Sequence, residues 1–200
     1  MKINKQMNVV IPCQNEDGET YYVHSQPISR EVFDRYALLL STVFSRIYES
    51  GTQLSGAATA KAMLDDIVNE KDKRLSASVD DPELKKETPY ADDLRDGFYS
   101  EISRLTNVLV MEDDKGWQTY QLNDAISRGI LDDKDKSDVE NIIVFFIVLW
   151  HIHRKGSRAA ILNSVLPMWD ALLTSLNCSD YRNSLKTSKP KDNIGETAAE

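Results

Sequence analysis

SDVENIIVFFIVLWHIHRK (137–155) decides how this chain is organised, because Ile142 to Trp150 are nine consecutive apolar residues. Such a run is apolar on every side of a helix and on both faces of a strand, so the rest of the chain or a partner has to cover it. It is too short to cross a bilayer, which takes roughly 20 apolar residues. Its flanks favour a helix over about 138–155. Ser137 and Glu140 have capping-box spacing. Asp132, Asp133, Asp135 and Asp138 place negative charge at the positive end of the helix dipole. His151, His153, Arg154 and Lys155 place positive charge at the other end, and Gly156 is the expected stop. The β-branched residues in the run pull towards a strand, but the flanks outweigh them.

Working outward, MNVVIPC and ETYYVHS read as the two strands of a hairpin over 7–24, with Asp17-Gly18 suited to the turn. Residues 30–50 carry Phe33, Tyr36, Leu40, Phe44 and Ile47 at spacings of three and four, after a plausible Ser29 cap. That is an amphipathic helix. A second is expected at about 57–70, burying Ala60, Met63, Leu64 and Ile67, and a third at about 92–106 through Leu94, Phe98, Ile102 and Leu105. VLVM, a DDKG turn and WQTYQL suggest a second small hairpin at 108–122, followed by a short helix at 123–128. A further helix is expected from Ser157, kinked or ended by Pro167, with the apolar pattern continuing through Trp169, Leu172, Leu173 and Leu176. Asn177, Ser179 and Asp180 look like the caps of a last helix.

The fold expected is therefore mainly α: one domain over 1–186 around a central apolar helix, with a peripheral N-terminal hairpin. Residues 71–91, charged and holding Pro82 and Pro89, read as a mobile loop, and 187–200 as a disordered tail. Lys and Arg total 24 against 32 Asp and Glu, for a net charge of -8. That balance argues against nucleic-acid binding, which relies on clustered cations. Cys13 and Cys178, the only two cysteines, read as reduced intracellular thiols, with one bridge left open. The N-terminus MKINKQMNVVIP has neither the apolar core nor the cleavage site of a secretory leader. A soluble, cytoplasmic protein is expected.

No catalytic, cofactor or metal constellation is legible. His151 and His153 stand two apart, about 200 degrees around a helix, so they do not share a metal and read as solvated helix-end residues. His24 stands alone beside Ser25. Cys178 lacks a base at a telling distance. The eight glycines form no phosphate loop, and 132–136 lacks the central glycine of a calcium loop. Trp117, Trp150 and Trp169 are either partner anchors or core.

Five pieces carry a resemblance: YYVHSQPISREVFDRYALLLS (21–41), SEISRLTNVLV (100–110), Trp117, SDVENIIVFFIV (137–148) and TSLNCSDYRNSL (174–185). In order and spacing they resemble the tail-assembly chaperones of long-tailed bacteriophages. The resemblance implies a small helical protein of the infected host's cytoplasm, present during virion morphogenesis. It implies binding to the long, helical tape-measure protein, with the tail-tube protein as a further partner, homo-oligomers allowed, and no nucleic acid or membrane. No catalytic residues or cofactor carry over. Trp117, Phe145, Phe146, Trp150 and Trp169 are the expected partner contacts. A structural virion component, such as a tail-completion or connector protein, is the alternative.

Overall fold

The structure, a computed structural model, describes residues 2–3, 8–15, 18–49, 51, 56–77, 89–113, 115–153, 156–157, 160, 163, 172–173 and 177–186. The chain is mainly helical. The strands among the described residues form one six-stranded sheet in the order β5-β4-β3-β2-β1-β6. These are β1 (Lys2–Ile3), β2 (Val9–Gln14), β3 (Thr20–Ser25), β4 (Thr106–Glu112), β5 (Gly116–Gln121) and β6 (Leu172–Leu173). All pairings are antiparallel except β1 with β6.

Both expected hairpins form. β2 and β3 pair from Val9↔Ser25 to Gln14↔Thr20. At their turn Asn15 accepts the Gly18 amide through its carbonyl (3.0 Å) and the Glu19 amide through Oδ1 (2.8 Å). Gly18 stands at φ 78°, where a side chain would be strained. The N-terminal hairpin is not peripheral, however. β3 also pairs with β4, from Tyr22↔Leu109 to Ser25↔Thr106, which places β2 and β3 in the middle of the sheet. Each hairpin alternates apolar residues between its faces, and fusing the two satisfies an edge of each.

One face of the sheet (Val9, Ile11, Tyr21, Val23, Val108) joins the helices in the main core. Helix α1 (Arg30–Glu49) buries Phe33, Tyr36, Leu39, Leu40, Val43 and Ile47, and Ser29 Oγ accepts the Val32 amide (3.2 Å) as its cap. Helix α2 (Gly56–Ala77) runs past its expected end at 70. The anticipated loop therefore begins as helix, and 78–88 lies outside the described residues. Tertiary pairing holds the extension. Arg46 of α1 bridges Asp66 and Glu70 (3.1 Å each), and the Asp72 carboxylate accepts the amides of Tyr90 and Ala91 (2.8 and 3.0 Å).

The third helical stretch is α3 (Tyr90–Asp93), a π-helical turn (Leu94–Tyr99) and α4 (Ser100–Arg104), burying Leu94, Phe98 and Ile102. A π-turn widens a helix by one residue and needs a local cause. The Tyr36 hydroxyl supplies one by lying across Gly97 and donating to the Asp93 carbonyl (2.9 Å). A Cβ on Gly97 would stand 1.9 Å from that oxygen. The short helix α5 (Leu122–Ser127) follows β5.

Helix α6 (Asp133–Ile152) begins earlier than expected. Asp132 is the N-cap, accepting the Asp135 amide (2.7 Å). The Ser137–Glu140 capping box does not form: Ser137 is inside the helix and Glu140 is buried. A carboxylate cap followed by Asp133 and Asp135 in the first turn complements the dipole better than a serine one turn later. The helix ends at Ile152 with His153 extended, before Gly156 is reached. Val139, Ile143, Val144, Phe146, Ile147 and Val148 are buried in the main core with α1 and α2 residues.

Leu172–Leu173, expected to continue a helical pattern, is instead strand β6 beside β1, in register Lys2↔Leu172 and Ile3↔Leu173. Two residues complete the hydrogen bonding of β1, which helical spacing cannot reveal. The expected helix from Ser157 to Pro167 lies almost entirely outside the described residues, as does the 187–200 tail. Helix α7 (Cys178–Ser184) is capped as anticipated, with Asn177 Oδ1 accepting the Asp180 amide (2.9 Å). Its Tyr181 packs with Val10 and Leu109 on the other face of the sheet. Cys13 packs against the main core and Cys178 against this second cluster, so the two thiols lie on opposite faces and both are free. Among the described residues no helix is long and apolar enough to cross a membrane.

Candidate functional site

The five expected contacts fall into different environments. Trp117 is half-buried on edge strand β5, with Tyr22 at 5.5 Å between ring centroids. Its Nε1 donates to the Lys186 carbonyl (2.7 Å). Trp150 is half-buried at the margin of the main core. Phe146 is 0% exposed and Phe145 4%. Those two are core residues, which corrects their reading as surface contacts: in an all-round apolar run, only packing separates anchors from core. Trp169 lies outside the described residues. Further exposed apolar groups are Leu38, Tyr48 and Tyr90, and Tyr48 leans on half-buried Phe44 at 4.5 Å.

The helix-end histidines His151 and His153, expected to be solvated, pack instead against aromatic rings. His151 is buried and stacked on Phe33 (4.5 Å, 19°), and half-buried His153 meets Phe44 edge-on (5.7 Å). His24 is 0% exposed on β3, in register with Val10 and Asn107. Among the described residues neither of its ring nitrogens meets a side-chain partner, and burial pushes its pKa down against the weaker opposing effect of a backbone hydrogen bond. Burial disfavours its charged form. No three His, Cys, Asp or Glu among the described residues are grouped so as to hold a metal. Burial raises the Cys178 thiol against the weaker opposing pull of Arg182. It pushes Cys13 up to about 11. Both thiols are thus shifted away from the thiolate form a nucleophile uses.

Among the described residues a polar cluster ties α2, α6 and the π-turn together. Lys61 Nζ lies 2.7 Å from Asp65, 3.9 Å from Glu140 and 4.9 Å from the Tyr99 ring centroid. The Tyr99 hydroxyl donates to Asp65 (2.6 Å). Asn141 Oδ1 accepts the Lys61 and Ala62 amides (2.8 and 3.3 Å), while its Nδ2 donates to the Ser137 carbonyl (3.0 Å). Burial raises the pKa of Glu140, opposed by Lys136 and Lys61 and reinforced by Asp65. The Tyr99 hydroxyl is also pushed up, first by burial and then by its bond to Asp65. One cation thus serves two carboxylates and a ring, and the arrangement locks helices together. Sequence reading missed it because Glu140 resembles a cap and Lys61 a surface residue; Lys61–Asp65 spacing was the one available signal.

A small-residue approach completes the junction. A Cβ on Gly56 would meet Phe145 Cε2 at 2.7 Å, so α2 reaches α6 only without a side chain there. Comparison of the chain with protein-family models, curated proteins and solved structures finds no match.

Proposed function

We propose that this chain is a non-catalytic tail-assembly chaperone of a long-tailed bacteriophage. In this reading it is organised around α6 and works in the host cytoplasm, where it binds the tape-measure protein and keeps it soluble until the tail tube polymerises around it. The observation that carries the reading is the ordered resemblance of segments 21–41, 100–110, Trp117, 137–148 and 174–185 to that class of protein. Two features of the surface support it. Trp117 and Trp150 are only half-buried, and large aromatic residues left partly accessible suit the capture of amphipathic helices. A net charge of -8 keeps such a binder from associating with itself indiscriminately while its partner's apolar helices are engaged.

The test is a titration of the purified chain with its tape-measure protein, followed by tryptophan emission. Saturable binding is expected, and Trp150→Ala should weaken it by roughly tenfold, the loss of a modest anchor worth about 1.4 kcal/mol. Circular dichroism of the variant separates lost contact from lost folding. Absence of binding by the folded wild-type chain refutes the proposal. Mass spectrometry of purified virions separates it from the structural alternative, which requires several copies per particle.

A further inference from the structure

We infer that residues 177–186 form a displaceable strap, seated where a longer amphipathic helix of the partner docks on the second face of the sheet. The strap stands on the fold alone; the identity of the partner as the tape-measure protein rests on the chaperone reading. Four neighbouring strands supply the face beneath it. Val10 of β2, Tyr22 of β3, Leu109 of β4 and Trp117 of β5 form one apolar diagonal, with Tyr22 in register with Leu109. Among the described residues, α7 and its flanks lie on that diagonal. Tyr181 is buried against Val10 and Leu109, Cys178 and Leu185 pack beside it, and Trp117 Nε1 donates to the Lys186 carbonyl (2.7 Å). Cys178, Tyr181 and Leu185 have the i, i+3, i+7 spacing of a helix laid in a groove, while Ser179, Asp180, Arg182 and Asn183 are exposed.

The cover is separable from the rest of the molecule. The main core, which joins the first face of the sheet to α1, α2 and α6, contains none of the α7 residues. Val10, Tyr22 and Leu109 are held by the β2–β3 and β3–β4 ladders, which the strap does not supply. A helix of seven residues is also too short to persist away from its docking site. Length then selects the occupant. Val10 lies opposite His24, two residues from Tyr22, and Trp117 lies opposite Met111, two residues from Leu109. With the three strand intervals between them, the diagonal is about 20 Å long. The helix α7 spans only about 10 Å, whereas about 13 helical residues match the diagonal. The strap accordingly leaves Tyr22 and Trp117 half-buried. A longer amphipathic helix with apolar residues at the same spacing covers all four side chains, and the strap leaves as it docks.

Hydrogen exchange of the full chain, read by mass spectrometry, tests this. In the free protein, residues 177–186 should be at least about a hundredfold less protected than β4, because they open without the main core. Equal protection overturns the inference. Tyr181→Ala unseats the strap and should move tryptophan emission to longer wavelength with a nearly unchanged circular dichroism spectrum. A variant that unfolds, or one with unchanged emission, overturns the inference as well. Addition of the tape-measure protein should remove the remaining protection of 177–186 while β4 stays protected. Tyr181→Ala should bind that protein roughly tenfold more tightly, since the closed state that competes with docking is lost. Greater protection of 177–186 in the complex, or binding by Tyr181→Ala no tighter than by wild type, overturns the inference. Absence of binding by both chains refutes the chaperone reading instead, and the free-chain measurements then decide the strap.

Discussion

Gly97→Ala is the most exacting test of the packing described for the helical layer. The added Cβ would lie 1.9 Å from the Tyr36 hydroxyl oxygen and 3.1 Å from Cζ. Tyr36 is buried and edge-on to Phe98 at 5.5 Å, so its ring has little room to retreat. Overpacking of this kind costs roughly 1–3 kcal/mol. Displacing the hydroxyl also breaks its bond to the Asp93 carbonyl, about 1 kcal/mol more. Alanine's better helix propensity returns about 1 kcal/mol. The net expectation is a loss of about 2 kcal/mol, or a melting temperature lower by roughly 4–8 °C for a chain of this size. Tyr36→Phe alone removes the hydrogen bond and should cost about 1 kcal/mol. In the double variant the offending oxygen is gone, and the remaining 3.1 Å contact needs a shift of only a few tenths of an ångström. The double variant should therefore be no less stable than Tyr36→Phe, giving a coupling energy of about 2 kcal/mol by urea unfolding of all four proteins. Additive losses, or a Gly97→Ala protein as stable as wild type, refute the account of the π-turn.

Three further outcomes follow from buried groups. His24 has a folded pKa below its unfolded value of 6.5, so the unfolded chain takes up its proton first. Its contribution is complete above pH 6.5 and declines as pH falls towards the folded pKa, by up to about 1.4 kcal/mol per unit. Urea midpoints at pH 7 and pH 5 should show less acid loss in His24→Leu than in wild type; equal losses would contradict this. Glu140 is the opposite case, because its folded pKa is raised above 4.5. Its contribution is complete below pH 4.5 and is lost as pH rises through the folded pKa. Since Lys61 keeps Asp65 at 2.7 Å, Glu140→Gln should be at least as stable as wild type at pH 7, with that advantage gone at pH 4. A strongly destabilised Glu140→Gln protein at pH 7 would show that the Lys61–Glu140 attraction outweighs burial. Gly56→Ala should lower the melting temperature by several degrees, since Phe145 stands where the methyl would go, and Phe145→Leu in the same chain should recover part of it. No recovery would place the strain elsewhere.

Local pattern was enough to read the α1 stripe from Phe33 to Ile47, both hairpin turns and the Asn177 cap, because each depends on residues within a few positions. The long-range partners were not legible. Ser25 and Thr106 are 81 positions apart, and their pairing turns two separate hairpins into one sheet. Nothing local marks that, so from sequence alone a hairpin buried on both faces reads as peripheral. The start of α6 failed for a different reason: Asp132 and Ser137 both satisfy cap chemistry, and dipole charge decided between them. Phe145 and Trp150 could not be separated within a uniformly apolar run. The π-turn needed Tyr36, 61 positions before Gly97, to be seen across it. For the candidate site, the aromatic residue types were visible in the sequence, whereas their exposure was a property of the assembled core.

The central claim is that this protein acts by shielding the apolar helices of a tape-measure protein. Expression of that tape-measure protein with and without this chain, followed by centrifugation of the lysate, measures it directly. The account predicts that the tape-measure protein moves from the pellet to the supernatant when the chain is present and elutes with it. Equal solubility in its absence would contradict the claim.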